Sequence, residues 1–297
     1  MSNSLRFIAM RFGFTIGGWL MPRATLQRAF RLFGTPMPGA REKALAADTL
    51  GARIEMLEHD GYRVATYTWG DPAQQPLVLL AHGWSSFGLR FAPWVRALRQ
   101  AGYAVATFDQ LAHGRSSGKR ATLPSFAETL FQVGKHYGPL HAVIGHSLGG
   151  AATMLALARG LQAERTVLIA PAADPLAAAD RFGNAVGLAQ SLRNQLFDEF
   201  EKRFRIPVAS LQAHLNVPCI ARPALVVHDL EDREVPWAEG ERYARYWPQA
   251  RLLSTTGLGH HRIAAQPEVI ADALRFLAGE TVGERVVSSP NLPFGIA

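Results

Sequence analysis

Gly145-His146-Ser147-Leu148-Gly149 is the point where residue type and spacing most sharply specify chemistry in this 297-residue chain. The apolar run Ala142-Val143-Ile144 enters it and an Ala-rich helix start follows, so a buried strand must reverse into a helix within a few residues. Such a turn forces the serine into strained φ/ψ and exposes its hydroxyl at the positive end of a helix. Gly145 and Gly149 are small because neighbouring backbone must pass close by. The Leu148 amide, first in the helix, is placed to donate to a developing anion.

A serine hydroxyl is nearly inert at its own pKa and needs a histidine base oriented by a carboxylate. Among ten histidines, His260 sits in Gly257-Leu258-Gly259-His260-His261, a glycine-rich loop before the last helical stretch, with His261 its immediate competitor. The segment Val226 to Pro236 offers Asp229, Glu231, Asp232 and Glu234 as the acid. The spacing of Asp232 before Val235-Pro236 places it in a strand-to-helix loop. Asp229, nearer the strand, is expected to brace that loop by hydrogen bonds.

These groups need a scaffold, and the apolar pattern supplies one. Residues 62–69 alternate with period two, as in a half-exposed antiparallel strand. Short continuous apolar runs at 77–81, 104–108, 142–144, 166–169 and 224–227 have the signature of strands buried on both faces, and 251–254 suits a last strand. Helical stretches at about 88–100, 124–136, 148–159, 236–247 and 267–278 alternate with them, which predicts a mostly parallel, doubly wound α/β sheet. The alternation breaks once. Some fifty residues between Ile169 and Ala224 are mostly helical, carry Phe182, Phe197, Phe200 and Phe204, and read as a helical cap or lid at about 172–222.

Taken together these residues resemble the α/β-hydrolase-fold serine hydrolase family over about residues 52–278. Ser147, Asp232 and His260 follow the family's chain order. His82-Gly83-Trp84 resembles its His-Gly-x loop, which implies the Trp84 amide as second oxyanion donor beside that of Leu148. Asp109-Gln110-Leu111-Ala112-His113-Gly114-Arg115-Ser116 resembles a structural turn of the family, so Asp109 and His113 are expected to be architecture, as is His82. His146 is expected to pack or line the pocket. Serine at 147 separates the chain from relatives with an aspartate nucleophile, and the His-Gly-Gly-Gly loop of many lipases is absent. The resemblance implies cleavage of a carboxylic ester, thioester or related acyl bond through an acyl-enzyme on Ser147. Acyl transfer by the same triad, or a non-catalytic binding module on the same fold, are the rival expectations. No cofactor is called for, and no His/Asp/Glu cluster has metal-ligand spacing. Apolar lid residues and Trp84 point to a hydrophobic ester-type small molecule as substrate.

Composition narrows the partners. Of 31 basic and 24 acidic residues, Arg6, Arg11, Arg23, Arg28, Arg31, Arg41 and Lys43 fall in residues 1–45 against one acid, Glu42. The remainder is nearly neutral, which argues against nucleic acid as a partner of the body. Residues 1–50 therefore form a basic, apolar arm ahead of a domain at 51–279 and a tail at 280–297. The charge-free run 12–22 is too short to span a bilayer, and no small-x-small cleavage site follows it. Leu26, Ala29, Phe30 and Phe33 form an apolar stripe with Arg23, Arg28 and Arg31 off it, so an amphipathic helix over 23–33 is expected, docked on the domain or laid on a membrane surface through residues 1–45. A single cysteine, Cys219, fits a reducing compartment, and the expectation is a cytoplasmic protein with membrane association at most at the surface.

Overall fold

The structure, a computed structural model, describes residues 3–286. Its helices are α1 (Asn3–Leu20), α2 (Pro22–Phe33), α3 (Ala40–Ala46), α4 (Ala92–Gln100), α5 (Leu123–Tyr137), α6 (Leu148–Ala158), α7 (Pro175–Val186), α8 (Gln190–Phe204), α9 (Ala213–Asn216), α10 (Trp237–Tyr246), α11 (Gly259–Arg262) and α12 (Pro267–Leu277). The strands are β1 (Arg53–His59), β2 (Tyr62–Trp69), β3 (Leu77–Ala81), β4 (Ala104–Phe108), β5 (Leu140–His146), β6 (Ala163–Ile169), β7 (Ala224–Asp229) and β8 (Ala250–Thr255). The chain divides into two compact units, one of Met1–Thr35 with Asp174–Gln212, the other of Pro36–Ala173 with Ala213–Ala297.

The larger unit holds one sheet in the order β1-β2-β4-β3-β5-β6-β7-β8. β1, β2 and β4 pair antiparallel, and every pairing from β4 through β3 to β8 is parallel. β3 and β4 are buried along their whole length, as continuous Val/Leu/Ala runs covered on both faces must be. β2 departs from the expected alternation: from Val64 to Trp69 every residue is buried, because β2 lies inside the sheet between β1 and β4. Its period-two pattern over residues 66–69 alternates Thr with Tyr or Trp, not solvated with buried positions. β1 was not anticipated; its charged Arg53, Glu55 and Glu58 sit on a sheet edge where no residue is fully buried. The core around Trp94, Leu80, Ile144, Val167 and Val227 has few polar atoms, and Trp94 satisfies its indole N–H on the Ala264 carbonyl at 2.7 Å.

The smaller unit joins the N-terminal helices to the two helices inserted between β6 and β7. Phe14, Leu26 and Ala29 are buried against Ala179, Val186, Leu188, Leu192 and Leu196. Burying a side chain of the size of Phe14 contributes about 2 kcal/mol. The stripe expected on α2 is thus the docked face: Phe33 packs tilted against Phe182 with ring centroids 5.0 Å apart, and Phe30 stacks on Phe204 at 6.3 Å. Gly18 lets α1 approach α8, since a Cβ there would lie 3.2 Å from Leu192. Arg11 donates to the last carbonyls of α7, at Asn184 and Ala185, where the helix dipole favours a cation. No helix among the described residues is long and apolar enough to cross a membrane.

Candidate active site

β5 ends at His146 and α6 begins at Leu148, so Ser147 alone carries the reversal, at φ 55° and ψ −122°. That is a costly backbone for a residue with a Cβ, of order 1–3 kcal/mol, retained only where the surroundings enforce it. The glycines explain how. A Cβ on Gly145 would lie 2.6 Å from Thr153 Oγ1 and 2.7 Å from the Gly149 carbonyl, and one on Gly149 would strike the carbonyls of Ala81 and His82 at the end of β3. The Ser147 amide is tied to the Ile169 carbonyl at 2.9 Å, which fixes the turn to β6.

Ser147 Oγ lies 2.9 Å from Nε2 of His260, and Nδ1 of His260 lies 2.7 Å from Oδ2 of Asp232. Of the sequence candidates, these three are brought together. Both His260 and Asp232 are buried. With its proton on Nδ1, donated to Asp232, His260 turns an Nε2 lone pair toward the serine hydroxyl. Burial by itself raises the Asp232 carboxyl, but hydrogen bonds from His228, His260 and the Val235 amide outweigh it and hold the group well below the usual carboxylate range. Oδ1 of Asp232 accepts from the amides of Glu234 and Val235 at 2.8 and 2.9 Å.

The competitors lie elsewhere. His261 is exposed and pairs with Glu234 at 2.9 Å. Asp229 accepts from Thr255 Oγ1, Leu258 N and Glu231 N, joining the loops after β7 and β8. Burial raises its carboxyl, and those donors bring it down overall. Asp109 accepts from Tyr67 Oη, Gly88 N and Arg115 N. His82 Nε2 accepts from Gln110 N at 2.9 Å, and His113 Nε2 accepts from Ser85 N at 3.0 Å. Because each ring must offer a lone pair while buried, both are held neutral: burial pulls His82 down to about 4 and His113 to about 3. Gly83 packs on Ser147, a Cβ there lying 3.0 Å from Ser147 Cβ, which sets the Gly83–Trp84 peptide beside it. The Trp84 ring packs edge-on to His113 and tilted against Phe126, with centroids 5.2 and 5.9 Å away.

Two histidines have roles that sequence reasoning did not assign. His146 Nε2 donates to the His260 carbonyl at 2.9 Å, and burial pulls the ring down to about 3. His228, fully buried on β7, donates from Nε2 to the Val235 carbonyl at 3.0 Å, with Asp232 Oδ2 3.4 Å away. A histidine in an apolar strand run carries no local signal of this. Only its i, i+4 spacing to Asp232 hints at it.

A cavity of about 250 Å3 opens beside His260, lined by Glu231, Arg233, Glu234, Gly257, Gly259 and Arg262. A larger depression of about 610 Å3, at Gly51, Trp69, Arg96 and Arg99, contains none of the triad.

Several known proteins resemble this chain. The family described as serine aminopeptidase, S33, matches residues 72–217. The chain is 28% identical over 242 residues to a Rhodobacter capsulatus protein named magnesium-chelatase 30 kDa subunit, covering 65% of this chain and 84% of that one. It is 32% identical over 99 residues to a monoacylglycerol lipase of Mycolicibacterium smegmatis, covering 30% of this chain and 35% of the lipase. The solved structure of a membrane phospholipase A, described as a bacterial virulence factor, has a TM-score of 0.58 at 19% identity, covering 94% of this chain and 99% of that one. Sheet order, elbow and these likenesses define an α/β-hydrolase fold, and residues 72–217 resemble the serine aminopeptidase family within it. It is a hydrolase.

Proposed function

We propose that the chain is a serine esterase whose nucleophile is Ser147, general base His260 and orienting acid Asp232. The observation that carries this is the unbroken hydrogen-bond chain of 2.9 and 2.7 Å from Ser147 through His260 to Asp232 at a strained elbow. As Ser147 Oγ bonds to the carbonyl carbon, its proton passes to His260 Nε2, and Asp232 stabilises the imidazolium. The carbonyl electrons move to an oxyanion, for which the amides of Leu148 and Trp84 are the proposed donors. Collapse breaks the bond to the leaving oxygen, which takes the proton from His260. Water, deprotonated by His260, then releases the acyl group from Ser147. The lipase among the relatives supports an ester substrate with an apolar acyl group.

A relative named as a chelatase subunit favours a second reading, in which the chain serves as a non-catalytic member of a larger assembly. Such a role needs neither a strained serine nor an oriented base. Fluorophosphonate labelling followed by peptide mapping tests the two: an adduct on Ser147 is expected, and a protein that takes no label supports the second reading. A series of p-nitrophenyl esters of increasing chain length then ranks the acyl group.

A further inference from the structure

We propose that α1 is a membrane-surface helix that lies in the interface of an anionic bilayer, with one face sunk among the acyl chains and the other docked on α7 and α8. Its two faces differ in kind. Phe14 is buried in the small unit's core and Gly18 abuts Leu192. On the other side Leu5, Ile8, Phe12, Ile16 and Trp19 recur at intervals of three and four residues, within an arc of about 80° at 100° per residue. All five are exposed, Phe12 at 66% and Trp19 at 89%. Leu20 and Met21 continue the surface, at 66% and 61%. A contiguous apolar face of this extent on a helix end to end is rare on a protein that meets only water.

Charge selects the occupant. From residue 1 to Thr35 the chain carries Arg6, Arg11, Arg23, Arg28 and Arg31 with no acid, while residues 174–212 hold equal numbers of acidic and basic groups. The unit is therefore strongly cationic, and the excess resides on the segment that bears the apolar face. Arg11 and Arg28 are engaged within the unit, Arg11 on the α7 carbonyls and Arg28 over the Phe14 ring at 4.9 Å. Arg23 and Arg31 are exposed. A second copy of this chain would bring the same positive charge to the interface and be repelled, whereas anionic headgroups neutralise it and the acyl region accepts the stripe. At 18 residues, about 27 Å long, with α2 turning back at Pro22 to dock on α8, the helix is suited to lie in the surface and not to cross it.

The test uses the full chain and vesicles of phosphatidylcholine alone or mixed with phosphatidylglycerol. Wild type is expected to co-sediment with the anionic vesicles at low salt and to be released as salt rises, because screening shortens the reach of the arginines. Phe12→Ser with Trp19→Ser is expected to weaken that binding by about 100-fold or more, with the melting temperature and hydrolysis of a soluble ester unchanged. Absence of wild-type binding to anionic vesicles at low salt overturns the proposal, as does undiminished binding by the double variant. Concentration-dependent dimers that the double substitution disperses, without lipid binding, overturn it in favour of a second copy. The readout is independent of the catalytic reading.

Discussion

Nε2 of His146 sits 2.9 Å from the carbonyl oxygen of His260, so the residue before Ser147 holds the backbone of His260. The Ser147–His260 and His260–Asp232 distances both depend on where the loop 257–261 rests, and this bond ties that loop to the elbow. His146→Ala should keep the fold and lower kcat by roughly 10- to 100-fold with KM little changed, because displacing a reacting group costs on that order. Steady-state kinetics on a soluble ester checks it, and unaltered kcat would remove His146 from the positioning set.

Asp232 and Asp229 stand three residues apart and should separate cleanly. Asp232→Asn leaves His260 without its anionic partner and is expected to cost about 10³–10⁴ in kcat. Asp229→Asn removes charge-assisted bonds to Thr255 and Leu258 and should lower stability by about 1–3 kcal/mol, with a smaller loss of kcat. Urea unfolding and kinetics on both variants decide. The opposite pattern would move the orienting acid to Asp229.

How much of this was legible is clearest at Asp232 and His228. The serine motif, the acid before Val235-Pro236 and the histidine in its glycine-rich loop are local patterns, since each must satisfy a turn that only certain residues make. The part of His228 leaves little trace although Asp232 and Val235 lie only four and seven residues on, because a buried histidine on a strand looks the same whether or not the following loop folds back over it. β1 is harder to read because Ile54 and Met56 alternate with Arg53 and Glu55 for only four residues before Leu57 breaks the period, and both apolar side chains stay exposed at the sheet edge. Likewise, Phe182 and Phe204 read as plain cap aromatics, when their partners Phe33 and Phe30 lie more than 140 residues earlier in the chain. Contacts that distant leave a stripe in each segment and no sign of the match.

Acid should destabilise the fold well above the carboxylate range. His82, His113 and His146 are pulled down to about 4, 3 and 3 in the folded protein, from 6.5 when unfolded. Between those values the unfolded chain binds protons that the native state refuses, so stability falls as pH drops below about 6.5. Each ring contributes a loss of about 1.4 kcal/mol per pH unit until its folded value is reached. Depressed Asp232 and Asp229 add their share only as pH falls below about 4. Urea unfolding from pH 7.5 to 5.5 should show the decline, and a flat profile would mean that these rings are not neutral and buried in solution.

Removing residues 1–35 should do more than discard a tail. Leu26, Ala29 and Phe14 cover Val186, Leu192 and Leu196, so the truncated chain exposes a core surface. The expected result is aggregation or a melting temperature lower by several degrees, as a loss of a few kcal/mol would give. A truncated protein that stays monomeric and melts with wild type would show that the docked face adds nothing to stability.

The most direct measurement is kcat for a soluble p-nitrophenyl ester with wild type and with Ser147→Ala, at matched folding by circular dichroism. If Ser147 is the nucleophile that His260 activates, the alanine variant loses roughly 10⁴- to 10⁶-fold in kcat while remaining folded. A variant that retains activity within about tenfold of wild type contradicts the mechanism, since a remnant that large exceeds what oxyanion stabilisation and substrate binding supply without the triad.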